Sequence, residues 1–190
     1  MKKLILIGDS LTFGYGVRKN DSFAYMLSKK LPIEIINKAQ NGNTTTNMLN
    51  RYYEDVTCFS PDYVFIMGGT NDLLSGHSID SIIDNIEEMI LESLAFTNNI
   101  YVGIPPYIIS DVANRLFISS PFYKYCEISL PKLRDEIINL CNKYNISFMN
   151  FYDITKSNID NSIFTDGIHL NLSGNILILN EFLNSFKIWF

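Results

Sequence analysis

Histidine is scarce in this chain: His77 and His169 are the only two among 190 residues. Any chemistry that needs an imidazole has two places to look. Cysteine is scarce as well. Cys58, Cys126 and Cys141 are odd in number, widely separated and form no C-x-x-C pair. That excludes a disulfide scaffold, argues against a metal or redox role, and leaves three reduced, mostly buried small hydrophobes. Long apolar runs are missing. The stretch Leu4 to Ile7 that comes after Lys2 and Lys3 ends at Gly8-Asp9, too soon for the core of a signal peptide, and no later stretch is long enough to span a bilayer. The expectation is a cytoplasmic chain without stable membrane insertion. Basic residues are in deficit, with 15 Lys and Arg against 20 Asp and Glu and a formal net charge of −5. With no local basic cluster either, nucleic acid is excluded as a partner. There is no G-x-G-x-x-G fingerprint, no internal repeat and no low-complexity tract.

What is present fits one packed globular domain over residues 1–190, since 47% of residues are hydrophobic and 18% charged. Short apolar runs alternate with segments of helical period, the pattern of βαβ units on a parallel sheet. The predicted strands are Lys3 to Ile7, Ile33 to Asn37, Tyr63 to Met67, Ile100 to Ile104 and Ser147 to Phe151. Predicted helices include one with an isoleucine stripe from Ile79 through Ile82, Ile83 and Ile86 to Ile90. A second carries Leu130, Leu133, Ile137, Leu140, Cys141 and Tyr144, with Ser129 as N-cap and Pro131 near its first turn. A third runs from Ser173 to Phe186 with Leu172, Ile176, Leu179, Leu183 and Phe186 on one stripe. Shorter helices are expected over Phe23 to Leu31 and Thr46 to Tyr53. The segment from Pro105 to Tyr125 reads as a long irregular loop rich in aromatics, which either walls a pocket or caps the core.

Five strands with helices between them imply a three-layer α/β/α sandwich, in which ligands bind at the carboxyl ends of the strands. Those ends carry Gly8-Asp9-Ser10-Leu11, then Asn41-Gly42-Asn43-Thr44, then Gly68-Gly69-Thr70-Asn71-Asp72, and finally Asp166-Gly167-Ile168-His169. A serine hydroxyl becomes a nucleophile only beside a base, and the base needs an orienting partner. Asp166 stands three residues before His169, a separation that one turn closes, leaving the other imidazole nitrogen for Ser10. An oxyanion would need donors already in place. The backbone N–H groups of Ser10 and Gly42 and the amide of Asn71 are the candidates.

These four blocks, in this order and spread over nearly the whole chain, resemble the GDSL, or SGNH, hydrolase family, whose four named residues would be Ser10, Gly42, Asn71 and His169. The resemblance implies a flavodoxin-like sheet of five parallel strands. It also implies an esterase, lipase, thioesterase or carbohydrate deacetylase activity on a small acyl ester, without metal or cofactor. Asn37, Thr44 and Arg51 are similar to the usual surroundings of the second block. Two positions depart from the pattern: Asn43 comes after Gly42 without the small-residue and glycine run common before it, and Leu170 stands where proline is frequent.

Blander readings exist for each residue. Ser10 would also serve as a helix N-cap, His169 as a loop histidine satisfied by Asp166, and His77 as an exposed turn residue. Asp9 and Asp72 read as acceptors that hold their loops in shape. Two other classes compete: metal-assisted phosphoester hydrolysis using Asp9, Asp72 and Asp166, and a non-catalytic anion-binding module built on the first glycine turn. The first lacks, in the turn Asp9-Ser10-Leu11, the second aspartate that an aspartyl-phosphate enzyme of this topology would show, and the second leaves Asp166 and His169 unexplained.

Overall fold

The protein is described by a computed structural model over residues 1–187. Its sheet contains β1 (Lys3–Gly8), β2 (Glu34–Asn37), β3 (Tyr63–Met67), β4 (Ile100–Ile104) and β5 (Ser147–Asn150). All neighbours run parallel, in the order β2-β1-β3-β4-β5. Side chains alternate across a strand, so Ile5 and Ile7 enter one core with Val64 and Ile66, while Leu4 and Leu6 enter the other with Tyr63 and Phe65. Both faces are covered, which is why β1, β3 and β4 read as continuous apolar runs rather than alternating ones.

The helices in chain order are α1 (Ser10–Phe13), α2 (Phe23–Lys30), α3 (Thr45–Asn50), α4 (Tyr52–Asp55) and α5 (Thr70–Leu74). They continue with α6 (Ile79–Leu94), α7 (Ser110–Leu116), α8 (Pro121–Tyr144), α9 (Phe151–Lys156) and α10 (Leu172–Ser185). One layer is sealed by Met48 of α3, Tyr52 of α4, Ile82, Ile86 and Ile90 of α6, and Leu130, Leu133 and Ile137 of α8. The other is sealed by Phe23 and Leu27 of α2, Phe151 of α9 and Ile178, Leu179 and Phe182 of α10. No helix among the described residues is long and apolar enough to cross a membrane.

The elements differ from the sequence expectation where a cap or a proline decides the boundary. Helix α8 begins well before Ser129, capped by Ser120 with Pro121 in its first turn; Ser129 is buried mid-helix and Pro131 is an interior proline. A proline in the first turn is favourable, whereas Pro131 has no N–H to give the Glu127 carbonyl one turn earlier. The expected loop from Pro105 to Tyr125 therefore holds α7 and the start of α8. The expected helix Thr46 to Tyr53 is two helices that break at Arg51. Phe151 starts a helix rather than ending β5, with Asn150 accepting from the Asp153 N–H as its cap. On α10, Leu172 and Ile176 are exposed and Ile178 and Phe182 take their place in the core. Cys126 and Cys141 are buried but Cys58 is exposed.

The strand order reverses direction between β1 and β3, and the crevice of such a fold opens at that reversal. Two fully buried carboxyls brace the loops there. Asp9 caps α1 by accepting from the Leu11 N–H at 2.9 Å, and its second oxygen lies 3.4 Å from Asn71 Nδ2. Asp72 accepts from both the N–H and the Oγ1–H of Thr45, at 2.9 and 2.6 Å, and so ties the loop after β3 to the first turn of α3. Burial pushes the Asp9 carboxyl up to about 7, aided by the negative charge of Asp72 and opposed by the Leu11 N–H and by His169. A carboxyl raised above its unfolded value of 3.8 contributes stability that is complete below that value and lost as pH rises through the folded one. The stability of Asp9→Asn relative to wild type is therefore expected to increase between pH 4 and 8, by up to about 4 kcal/mol. Urea unfolding across that range measures it, and a pH-independent difference would show that Asp9 does not titrate there.

Candidate active site

The loop that carries the histidine is a tight reversal. The Thr165 N–H donates to the His169 carbonyl at 2.8 Å, the Asn171 N–H to the Ile163 carbonyl at 3.0 Å, and Phe164 bridges Leu170. Leu170 packs into the core, so the residue that departs from the family's usual proline anchors the loop by burial. Outside, the Ile109 N–H donates to the Gly167 carbonyl at 2.7 Å, so the segment leading into α7 backs the loop. Inside it, Asp166 Oδ1 accepts from the N–H groups of Ile168 and His169 at 2.9 and 2.7 Å, while Oδ2 lies 2.8 Å from His169 Nδ1. Burial alone would raise the Asp166 carboxyl. The hydrogen bonds from the imidazole and from the two N–H groups outweigh it and hold the group below its ordinary value.

An ionised Asp166 fixes the tautomer. It has no proton to donate, so Nδ1 of His169 carries the hydrogen and Nε2 presents a lone pair. That lone pair faces Ser10: Oγ and Nε2 are 3.0 Å apart. Ser10 is the first residue of α1 and Asp9 is its N-cap, so the bland reading of Ser10 as a cap is excluded. Its hydroxyl is free to serve the histidine.

The candidate donors for a developing oxyanion lie on the loops that follow β1, β2 and β3. The Ser10 N–H lies in the first turn of α1, where a helix supplies no acceptor. Gly42 sits in the turn that Asn43 closes onto the Gln40 carbonyl at 3.3 Å, with φ +76° in the left-handed region. Nothing lies within 4 Å of where its Cβ would be, so backbone conformation rather than crowding calls for glycine there. Asn71 Nδ2 donates to the Asn43 carbonyl at 3.0 Å. Asn43, the other departure from the family pattern, also accepts from Arg51 Nε through its side chain at 2.8 Å. Arg51 reaches onward to the Lys38 carbonyl at 2.7 Å and to Asp55 at 2.5 Å. Asn37 joins the first two loops by donating to the Thr12 carbonyl at 3.1 Å, and Thr44 caps α3.

The structure thus brings Ser10, Asp166 and His169 into one hydrogen-bonded chain, with Asn71 and the Gly42 turn linked to it through Asp9 and Asn43. It leaves His77 apart, half-exposed and 3.7 Å from Asp72. The three aspartates weighed as metal ligands serve separate networks, and no three metal-ligating side chains converge among the described residues. The aromatic segment divides. Tyr107, Tyr123 and Tyr125 pack against the core, while Phe117, just after α7, and Phe122, in the first turn of α8, stay exposed. Sequence reasoning missed Tyr15, whose ring lies 4.6 Å from the His169 ring, centroid to centroid; its place between Gly14 and Gly16 was the available signal.

The GDSL-like lipase/acylhydrolase family matches residues 6–176. An arylesterase from Vibrio mimicus is 34% identical over 94 residues, 47% of each chain. An acetylxylan esterase from Geobacillus stearothermophilus is 27% identical over 133 residues, 56% of this chain and 61% of that one. The matches thus span about half to three fifths of these relatives. Among solved structures, a lipolytic protein of the G-D-S-L family from Veillonella parvula superposes with a TM-score of 0.84 at 19% identity, over 98% of both chains. The acetylxylan esterase gives 0.79 at 20% identity, over 98% of this chain and 95% of that one. At such identities the structural likeness speaks for the fold alone. With the family matched across nearly its whole length, the chain belongs to the GDSL-like lipases and acylhydrolases.

Proposed function

We propose that this protein hydrolyses acyl esters or thioesters through an acyl-Ser10 intermediate. The observation that carries the reading is the chain from Ser10 Oγ to His169 Nε2 at 3.0 Å and from His169 Nδ1 to Asp166 Oδ2 at 2.8 Å. His169 takes the hydroxyl proton as Ser10 Oγ adds to the carbonyl carbon, and Asp166 stabilises the imidazolium that results. The tetrahedral oxyanion is met by the N–H groups of Ser10 and Gly42 and by Asn71. Collapse breaks the bond to the alcohol or thiol, which leaves with the proton from His169. Water then enters by the same route, giving its proton to His169, and the carboxylic acid departs from a regenerated Ser10. No cofactor or metal enters these steps.

A second reading is O-deacetylation of a carbohydrate by the same mechanism, favoured by the match to an acetylxylan esterase. With the leading reading go the sequence-based proposals of a single domain over residues 1–190 and a cytoplasmic setting.

Hydrolysis of p-nitrophenyl esters from acetate to palmitate tests the proposal. Wild type is expected to turn over at least one ester, and Ser10→Ala to lose about 10³-fold or more. Full activity in Ser10→Ala would falsify the mechanism. An optimum at acetate, with acetate release from acetylated xylo-oligosaccharide, would favour the carbohydrate reading. In the same assay Asn71→Ala is expected to lower kcat by about 10² to 10³. Asp166→Asn, which denies His169 its tautomer, is expected to lower kcat by about 10⁴; a loss of less than about tenfold would remove Asp166 from the mechanism.

A further inference from the structure

Tyr15 is joined to both reacting residues. Its backbone N–H donates to the carbonyl of Ser10 at 3.0 Å, sharing that acceptor with the Gly14 N–H. Its ring lies against His169 with centroids 4.6 Å apart and planes tilted by 48°. Gly16 comes next with φ +85°, and a Cβ there would come within 3.8 Å of His169 Cβ. The chain therefore turns away immediately after delivering the ring, in a conformation that favours glycine. Tyr15 thus joins the nucleophile's backbone, through its N–H, to the ring of the base, through its side chain.

The groups that face the imidazole are few. Asp166 bonds Nδ1 from the same loop, Ser10 meets Nε2 from α1, and Asp9 acts on it from the end of β1, with Asp72 behind. Among the described residues, Tyr15 is the aromatic partner of the ring. A π-face within about 6 Å attracts a cation, and the attraction grows when water is excluded. The His169 side chain is only 13% exposed. Neutral imidazole gains little from the ring's quadrupole, while imidazolium, the species present when the tetrahedral intermediate forms, gains more.

We infer that Tyr15 is a positioning residue of this site: its ring holds the His169 imidazole between Asp166 and Ser10 and favours the imidazolium over the neutral form. The inference rests on the reading of His169 as general base for its catalytic meaning, but its physical content does not depend on turnover. The phenol hydroxyl is not part of it, so phenylalanine replaces tyrosine without loss. Leucine keeps His169 covered while removing the π-face, so the change reports the ring's electrostatics rather than exposure of the base.

Proton NMR titration of the full chain tests this directly, because two histidines give two curves and His77→Gln assigns them. Tyr15→Leu is expected to lower the His169 midpoint by about 0.5 pH unit, about threefold in the protonation equilibrium, with Tyr15→Phe at the wild-type value. The His77 curve should stay in place in both Tyr15 variants and serves as the control for folding. Where esters are turned over, Tyr15→Leu should lower kcat about three- to tenfold with KM little changed. A His169 midpoint that stays fixed or rises in Tyr15→Leu overturns the inference, as does an equal fall in Tyr15→Phe or an effect on KM alone. Absence of any ester turnover by wild type would instead sink the esterase reading, leaving the titration to decide the role of Tyr15.

Discussion

An imidazole has one proton to give and one lone pair to offer, and a protein that needs the lone pair at a chosen place must hold the proton elsewhere. Asp166 does this. Its carboxylate accepts from His169 Nδ1 and from the backbone N–H groups of His169 and Ile168, and these bonds, the imidazole's foremost, outweigh burial and keep it ionised. The side-chain bond to Nδ1 then settles both the tautomer and the ring orientation. Ser10, arriving from the first strand, meets a lone pair that is prepared in advance. Preorganisation of this kind is the larger part of what a hydrolase contributes, since nothing need reorient as charge develops.

The same constraint governs the other side of the crevice, where the parts come from three separate crossovers. Asp72 links the loop after β3 to α3 through Thr45, and Asn71 beside it reaches the Asn43 carbonyl. Arg51, at the break between α3 and α4, returns from Asn43 to the Lys38 carbonyl and, at 3.4 Å, to that of Gly8. A guanidinium suits this place because its fixed fork meets several acceptors at once. Removing any member would free a loop that carries a reacting group and strand a buried polar partner as well. Asp9 shows the cost of such bracing: a carboxyl with no counter-ion in contact, pushed up by burial, retained at the junction of Ser10 and Asn71.

Much of this was legible in the sequence for a definite reason. Strand runs such as Leu4 to Ile7 are buried on both faces and announce themselves, and in a parallel sheet topology alone places the loop after each strand at one edge. Ser10, Gly42, Asn71, Asp166 and His169 could therefore be gathered without coordinates. Asn43 and Leu170 looked like departures because their contribution is made through partners outside their own blocks, Arg51 and the second core. The start of α8 was misplaced because Ser129-Leu130-Pro131 imitates a capped first turn, while the true cap at Ser120 lies in a stretch whose apolar residues keep to no helical stripe. Tyr15 escaped notice because a ring contact across 154 positions has no local period.

The fold, the reacting residues and the rim are constrained by different physics, and they are free to vary to different degrees. Cores accept many hydrophobic sets of the right volume, which is how a protein only 19% identical superposes with a TM-score of 0.84. The hydrogen-bonded chain does not share that freedom, because each member is defined by the number and direction of its donors and acceptors. The connection from α7 to α8 is bound by neither rule. Leu116, Phe117, Ile118 and Phe122 are exposed on it and at the helix ends that flank it, while the Ile109 N–H and the first turn of α7 back Gly167. Substitutions along it leave the core filled and the His169 loop backed. Substitution therefore costs least on that connection, where it disturbs neither the packing beneath nor the loop that carries His169.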